Sequence, residues 1–267
     1  MLASEERLLH KTRARECDLG QEGSNSVDIF EAMPNQTITL YCLPCAGASA
    51  AIYFPWRRKA PHWLRIEPVE LPGRGMRSGE PPIPDFERLT AQLTNELAEQ
   101  LSGPFALCGH SFGALLAYGI AHGLCANRKQ LPVALFVAGC SAPTFRDDTR
   151  LARLDNDDAI IDELRELRGT PSELFDHPEL LRLTVALANA DFSACRSFRR
   201  LSEMPLDLDI FVSGGLSDEV KLEGLYAWSL ESSRRTDVTL FEGGHFFLRE
   251  KEELFLADLF AKLAQFR

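Results

Sequence analysis

From residue 36 onward the apolar positions fall into two rhythms that take turns along the chain. Residues 36–43 (Gln-Thr-Ile-Thr-Leu-Tyr-Cys-Leu) are rich in β-formers and stop at Pro44, which predicts a first strand. A second strand is expected over 65–71. Phe86, Leu89, Leu93, Leu97 and Leu101 then recur at three and four residues, the spacing of one helix face. A strand at 105–108, a helix at 112–126 and a strand at 133–139 follow. Further on, the pattern predicts a strand at 208–213, a helix at 220–233 and a last strand at 237–241. Leu254, Leu256, Leu259, Phe260 and Leu263 mark a closing helix. Strands alternating with helices at this spacing imply right-handed βαβ units, hence a mostly parallel central sheet with helices on both faces.

Two stretches depart from this alternation. Residues 1–35 lack sustained periodicity and include Gly20-Gln21-Glu22-Gly23-Ser24-Asn25-Ser26, which reads as a linker, so they are expected to form a flexible N-terminal appendage to a single domain at 36–267. Between about 141 and 205 the pattern is helical throughout, with helices at 157–168 and 178–198 joined by Gly169-Thr170-Pro171. A helical insertion between two sheet strands is expected to be a lid over a pocket. A packing extension with no gating role is the plainer alternative.

Composition narrows the class. The chain has 267 residues, 45% apolar and 25% charged, as in an ordinary globular protein. Its net charge of -10 argues against nucleic-acid binding, which needs concentrated positive charge. Seven cysteines, several of them within apolar runs, read as reduced thiols of a cytoplasmic protein. Cys42-Leu43-Pro44-Cys45 has redox spacing, but strand-end packing accounts for it, and no second ligand pair is present for a metal. Residues 1–20 carry Glu5, Glu6, Arg7, Lys11, Arg13 and Arg15 around no apolar core, unlike a signal peptide. The longest apolar stretch, 112–126, is too short and interrupted to span a membrane.

The chemistry centres on Gly109-His110-Ser111-Phe112-Gly113, which joins a predicted strand to a predicted helix. A serine on such a turn is exposed at a sheet edge near the positive end of a helix, and the crowded backbone there needs flanking glycines. A serine hydroxyl needs a base, and the base needs an orienting acid. Of six histidines, His245 follows a strand and a Gly243-Gly244 turn. His110 is read as structural, and His10, His62, His122 and His177 lack comparable context. Asp218 lies just past the 208–213 strand. Asp207 and Asp209 precede or open that strand, and Asp191 belongs to a lid helix. The order Ser111, Asp218, His245 is the one used on α/β-hydrolase sheets. Oxyanion donors are expected at the backbone N–H of Phe112 and, from the loop 44–48 after the first strand, at that of Ala46.

These residues carry a wider resemblance. Leu43-Pro44-Cys45-Ala46-Gly47-Ala48-Ser49 with Tyr53 and Trp56, then Glu70-Leu71-Pro72-Gly73-Arg74-Gly75-Met76-Arg77, resemble two signatures of stand-alone type II thioesterases of nonribosomal peptide and polyketide synthesis. The nucleophile turn, Ala190-Asp191-Phe192, Gly215 with Asp218, Trp228 and Gly243-Gly244-His245-Phe246 continue the match across residues 39–267. Siderophore-pathway members are among those it resembles. The resemblance implies an α/β-hydrolase fold and hydrolysis of acyl or aminoacyl thioesters from the phosphopantetheine arm of carrier domains, removing stalled or misloaded groups. It implies Ser111 as nucleophile, His245 as base and acid, Asp218 as its orienter, transient carrier-domain partners, a monomer, and no cofactor beyond the arm the substrate carries. Cys45 and Ala48 depart from the family's usual residues in the oxyanion loop. Arg74 and Arg77 either meet the arm's phosphate or tie the Pro-Gly loop through backbone carbonyls. Arg196, Arg199 and Arg200 either help dock an acidic carrier or form a solvated face. A general carboxylesterase and a non-catalytic binding protein on the same fold are the competing functions.

Overall fold

The computed structural model describes residues 36–146 and 149–267, so the expected appendage at 1–35 lies outside the described residues. In chain order the elements are β1 (Ile38–Leu43), α1 (Phe54–Lys59), β2 (Leu64–Pro68), α2 (Phe86–Gln100), β3 (Phe105–His110), α3 (Phe112–Ala126), β4 (Ala134–Ala138), α4 (Asp157–Glu166), α5 (Pro178–Ser197), β5 (Asp209–Gly215), α6 (Leu222–Tyr226), β6 (Thr236–Phe241), α7 (Phe247–Glu250) and α8 (Glu252–Leu263). The six strands form one sheet, ordered β2-β1-β3-β4-β5-β6, and every neighbouring pair is parallel.

Successive side chains of a strand point to opposite faces, and both faces here are apolar. Tyr41, Leu43, Leu107, Leu135, Val137, Ile210 and Val212 join α2 and α3 on one side. Leu40, Cys42, Ala106, Cys108, Phe136 and Phe211 meet Tyr53, Trp56 and α8 on the other. The Asp85 carboxylate accepts from the Arg88 amide and so caps α2, a bond worth about 1 kcal/mol. The described part of the insertion between β4 and β5 contains no strand. Its helices α4 and α5, with Leu154 just ahead of them, form a third apolar cluster of Leu154, Ile160, Leu164, Val185, Ala188 and Phe192.

The register sets where chemistry can occur. Leu43 is level with Gly109, His110 with Ala138, Ala138 with Ser213, and Gly215 with Phe241. All the carboxyl ends therefore open on one edge. From β1 the chain goes to β2 on one side, whereas β3 and the later strands lie on the other. This reversal leaves a crevice between the loops after β1 and β3, the usual ligand position in open α/β sheets.

Two elements differ from the sequence expectation. The helix expected over 220–233 is split into α6 and a 3-10 turn, Ala227–Leu230. The tighter turn seats Trp228 fully in the core with its indole N–H donating to the Cys140 carbonyl, and brings the Glu231 carboxylate inward. The second strand ends at Pro68 rather than 71, because the chain leaves the sheet to place Glu70 beneath Ser49 and Ala50.

The turn from β3 into α3 depends on close backbone approach. A Cβ on Gly109 would overlap the Gly113 carbonyl, and one on Gly113 would overlap that of Leu43. Gly79, by contrast, faces open space. Gly109→Ala and Gly113→Ala should each lose at least about 3 kcal/mol in urea unfolding, with Gly79→Ala within about 0.5 kcal/mol of the parent.

Candidate active site

Ser111 follows β3 directly and is the N-cap of α3, with φ 55° and ψ −116°. A positive φ at a residue with a side chain is strained, and it is held by the Ser111 amide donating to the Ala138 carbonyl at 2.8 Å. The Ser111 side chain makes no cap hydrogen bond, so its hydroxyl is not spent on the helix. It lines two cavities, of about 500 and 350 Å³, which share Ala46, Ser111, Leu167, Phe192 and His245.

Three carboxyl-edge loops converge there. His245, after β6, has its Nδ1 3.0 Å from both oxygens of Asp218, which follows β5. The Asp218 side chain is 2% exposed. Burial works against its charge, but the His245 hydrogen bond and the Val220 amide hold its carboxyl below the usual carboxylate range. An ionised Asp218 fixes the tautomer with the proton on Nδ1, which leaves Nε2 as the basic nitrogen.

His110 has a different task. It is 2% exposed and lines neither cavity, with its Nε2 2.8 Å from the His245 carbonyl oxygen. Burial, then the adjacent His245 ring, pushes His110 down to about 3. A neutral His110 donates to that carbonyl and so holds the backbone of the His245 loop. Of the other histidines, His122 meets Tyr118 edge to face, while His62 and His177 are exposed. Asp207 pairs with Arg234 on the surface.

The loop after β1 forms a turn closed by the Ala48 amide donating to the Cys45 carbonyl at 3.1 Å. Ala46 lines both cavities, and its N–H has no partner among the described residues. The Phe112 N–H opens α3, ahead of the helix's internal bonding. Cys45 and Cys42 are free thiols; Cys42 is in the core, and burial pushes Cys45 up to about 11, as suits packing rather than redox exchange.

The arginines settle mostly on carbonyls and carboxylates. Arg74 is 4% exposed and forms a bidentate pair with Asp191 of α5, at 2.6 and 2.7 Å, and also reaches the Ala48 carbonyl. It is therefore committed inside the protein and not presented to a phosphate. Arg77 donates to the Glu70 carbonyl and pairs with Glu80 and Glu96. Arg196 ties the Leu154 carbonyl to α5, and Arg200 lies 3.8 Å from buried Glu231, so neither is simply part of a solvated face.

Two anchors were not foreseen from the sequence. Glu231 accepts from the Tyr118 hydroxyl at 2.7 Å and the Thr144 amide at 3.1 Å, which joins the start of the insertion to α3. Asp191 also accepts from the Gly47 amide at 2.7 Å, which joins α5 of the insertion to the turn beside Ser111. Neither carries a periodic signal, because each partner lies over 80 residues away. Phe246 packs against Gly169, and Arg249 donates to the Gly169 carbonyl, so the insertion is also tied to the His245 loop. No helix among the described residues is long and apolar enough to cross a membrane.

Comparison with known proteins agrees with this fold. Residues 38–263 match the family model "Thioesterase domain". The gramicidin S biosynthesis protein GrsT of Aneurinibacillus migulanus is 32% identical over 216 residues, 80% of this chain and 84% of that protein. The crystal structure of ClbQ from the colibactin NRPS/PKS pathway aligns with a TM-score of 0.81 at 26% identity, covering 86% of this chain and 98% of the other. YbtT, the type II thioesterase from the yersiniabactin NRPS/PKS pathway, aligns at 0.75 and 27% identity, covering 85% and 92%.

His110 makes folding pH-dependent. An unfolded histidine binds a proton near pH 6.5, whereas the folded one stays neutral down to about 3. Its contribution is complete above pH 6.5 and is lost as pH falls towards 3. Between pH 7 and 5, urea unfolding of the parent should lose about 2 kcal/mol more than that of His110→Gln.

Proposed function

The chain belongs to the thioesterase domain family, and from that premise we propose a type II editing thioesterase. It hydrolyses acyl or aminoacyl thioesters from the phosphopantetheine arm of carrier domains of a nonribosomal peptide or polyketide synthetase, clearing stalled or misloaded groups. The observation that carries this reading is Ser111, strained on its strand-to-helix turn, where two cavities meet beside a His245 held by Asp218. A thioester has two arms, and each needs its own space on either side of the reacting carbonyl.

The residues take the following roles. Ser111 Oγ attacks the thioester carbonyl carbon while His245 Nε2 takes its proton. The negative charge that develops on the carbonyl oxygen is met by the N–H groups of Ala46 and Phe112, each such donor being worth about 10²–10³ in rate. The tetrahedral centre collapses, the C–S bond breaks, and His245 returns the proton to the departing sulfur, which leaves an acyl-serine. Water, deprotonated by the same histidine, then attacks this ester, and the free acid leaves as Ser111 regains its proton. Asp218 stabilises His245 whenever it is charged.

The carrier is a transient partner of a monomer acting in the cytoplasm. GrsT, ClbQ and YbtT serve different products at similar likeness, so the reading is made at the level of the synthetase class. A general carboxylesterase would prefer oxygen esters, which nothing in the site favours.

The test is hydrolysis of an acyl-loaded carrier compared with a matched oxygen ester. Carrier thioester should be the better substrate by kcat/KM, and Ser111→Ala should lower its kcat by at least about 10³ while circular dichroism stays unchanged. Preference for the oxygen ester, with carrier thioesters ignored, would reject the editing role; full activity of Ser111→Ala would reject the nucleophile.

A further inference from the structure

The turn that carries Ala46 is short, and its conformation has alternatives. Gly47 sits at the third position of the Cys45–Ala48 turn with φ +73°, the conformation of a type II turn. Rotating the Ala46–Gly47 peptide would give the type I form, which places the third residue at negative φ and turns the Gly47 N–H away from its present acceptor. Something must select between the two forms.

The selection comes from outside the turn. Asp191 Oδ2 accepts the Gly47 N–H at 2.7 Å, and the same oxygen takes Arg74 Nη1 at 2.6 Å. Arg74 Nη2 holds Oδ1 at 2.7 Å, so the carboxylate cannot swing away. Both side chains are almost fully buried, at 3% and 2% exposure. Arg74 also donates to the Ala48 carbonyl, while Glu70 accepts from Ser49 Oγ and the Ala50 amide further along. Ala188, one turn before Asp191 on α5, packs on Gly47 itself. The turn is thus clamped from above by a lid helix and from the side by the Pro-Gly loop.

We propose that Asp191, held by Arg74, is a positioning residue for acyl transfer: through the Gly47 amide it anchors the 45–48 turn and so fixes the place of the Ala46 N–H that meets the oxyanion. The inference rests on the acyl-transfer reading of Ser111. It makes the insertion more than a cover, because one of its helices supplies the acceptor that sets a donor loop on the sheet edge.

The test separates positioning from stability by removing both charges. Replacing one partner would strand a buried charge, whereas an uncharged pair of similar volume is tolerated. Arg74→Met with Asp191→Asn keeps a carbonyl oxygen for Gly47; Arg74→Met with Asp191→Leu does not. The probe is hexanoyl-N-acetylcysteamine, a pantetheine-like thioester, with kcat counted per serine that reacts with a fluorophosphonate, so that unfolded protein does not enter. The Asn pair should keep kcat within about threefold of the parent, and the Leu pair should fall tenfold or more below it, with KM within about twofold in both. If either pair does not fold, Arg74→Gln with Asp191→Asn and Arg74→Gln with Asp191→Ala carry the same expectation. Equal kcat for the Asn and Leu variants, whether both high or both low, would overturn the proposal. A parent that releases no thiol from the probe or from an acyl-loaded carrier would instead reject the acyl-transfer reading.

Discussion

Parallel pairing without slippage is the constraint on which everything else in this protein depends. Leu43, His110, Ala138, Gly215 and Phe241 end their strands at a common edge because each strand is locked to its neighbour's register. A shift of one residue in any strand would turn its core-facing side chains to the other face. With both faces buried under apolar clusters, that shift is costly, so the edge is defined within a residue. Ser111, Asp218 and His245 come from three separate loops and meet because those loops leave the same edge, β5 and β6 running two residues past the ends of β3 and β4.

The insertion between β4 and β5 is fastened to this edge at several points. Glu231 ties Thr144 at its start to Tyr118 of α3, with Arg200 from its far end at 3.8 Å. Phe246 and Arg249 hold Gly169, and Asp191 holds Gly47. The insertion thus shares hydrogen bonds with α7, just after His245, and with the turn after β1. A cavity roof attached in this way affects the geometry of the residues beneath it as well as the shape of the space.

Two neighbouring imidazoles show how environment divides labour. The rings of His110 and His245 lie 4.9 Å apart. His110 is sealed in the interior and stays neutral, which suits a donor that supports a backbone carbonyl. His245 faces the cavities and has Asp218 on its other nitrogen. Two groups of one chemical type, nearly in contact, are thereby given a structural and a chemical position.

Periodicity and short patterns in the sequence were enough to place the parallel sheet, the helical insertion, the glycine-flanked serine turn, and Asp218 and His245 on loops after strands. All of these are local: they depend on alternation, helical spacing and turn residues within about 20 positions. The split of the 220–233 helix was not legible, because it answers to the burial of Trp228 against Cys140. Nor was the fate of Arg74. From the sequence its guanidinium could meet a phosphate or a carbonyl, and only the fold brings Asp191, 117 residues away, into a bidentate grip on it. Long-range pairs between polar side chains leave no period in the chain, because packing of distant elements selects them. The sequence by itself determined that Ser111, Asp218 and His245 stand after strands at one edge of the sheet; the tertiary structure decided which buried charges brace the loops of that edge.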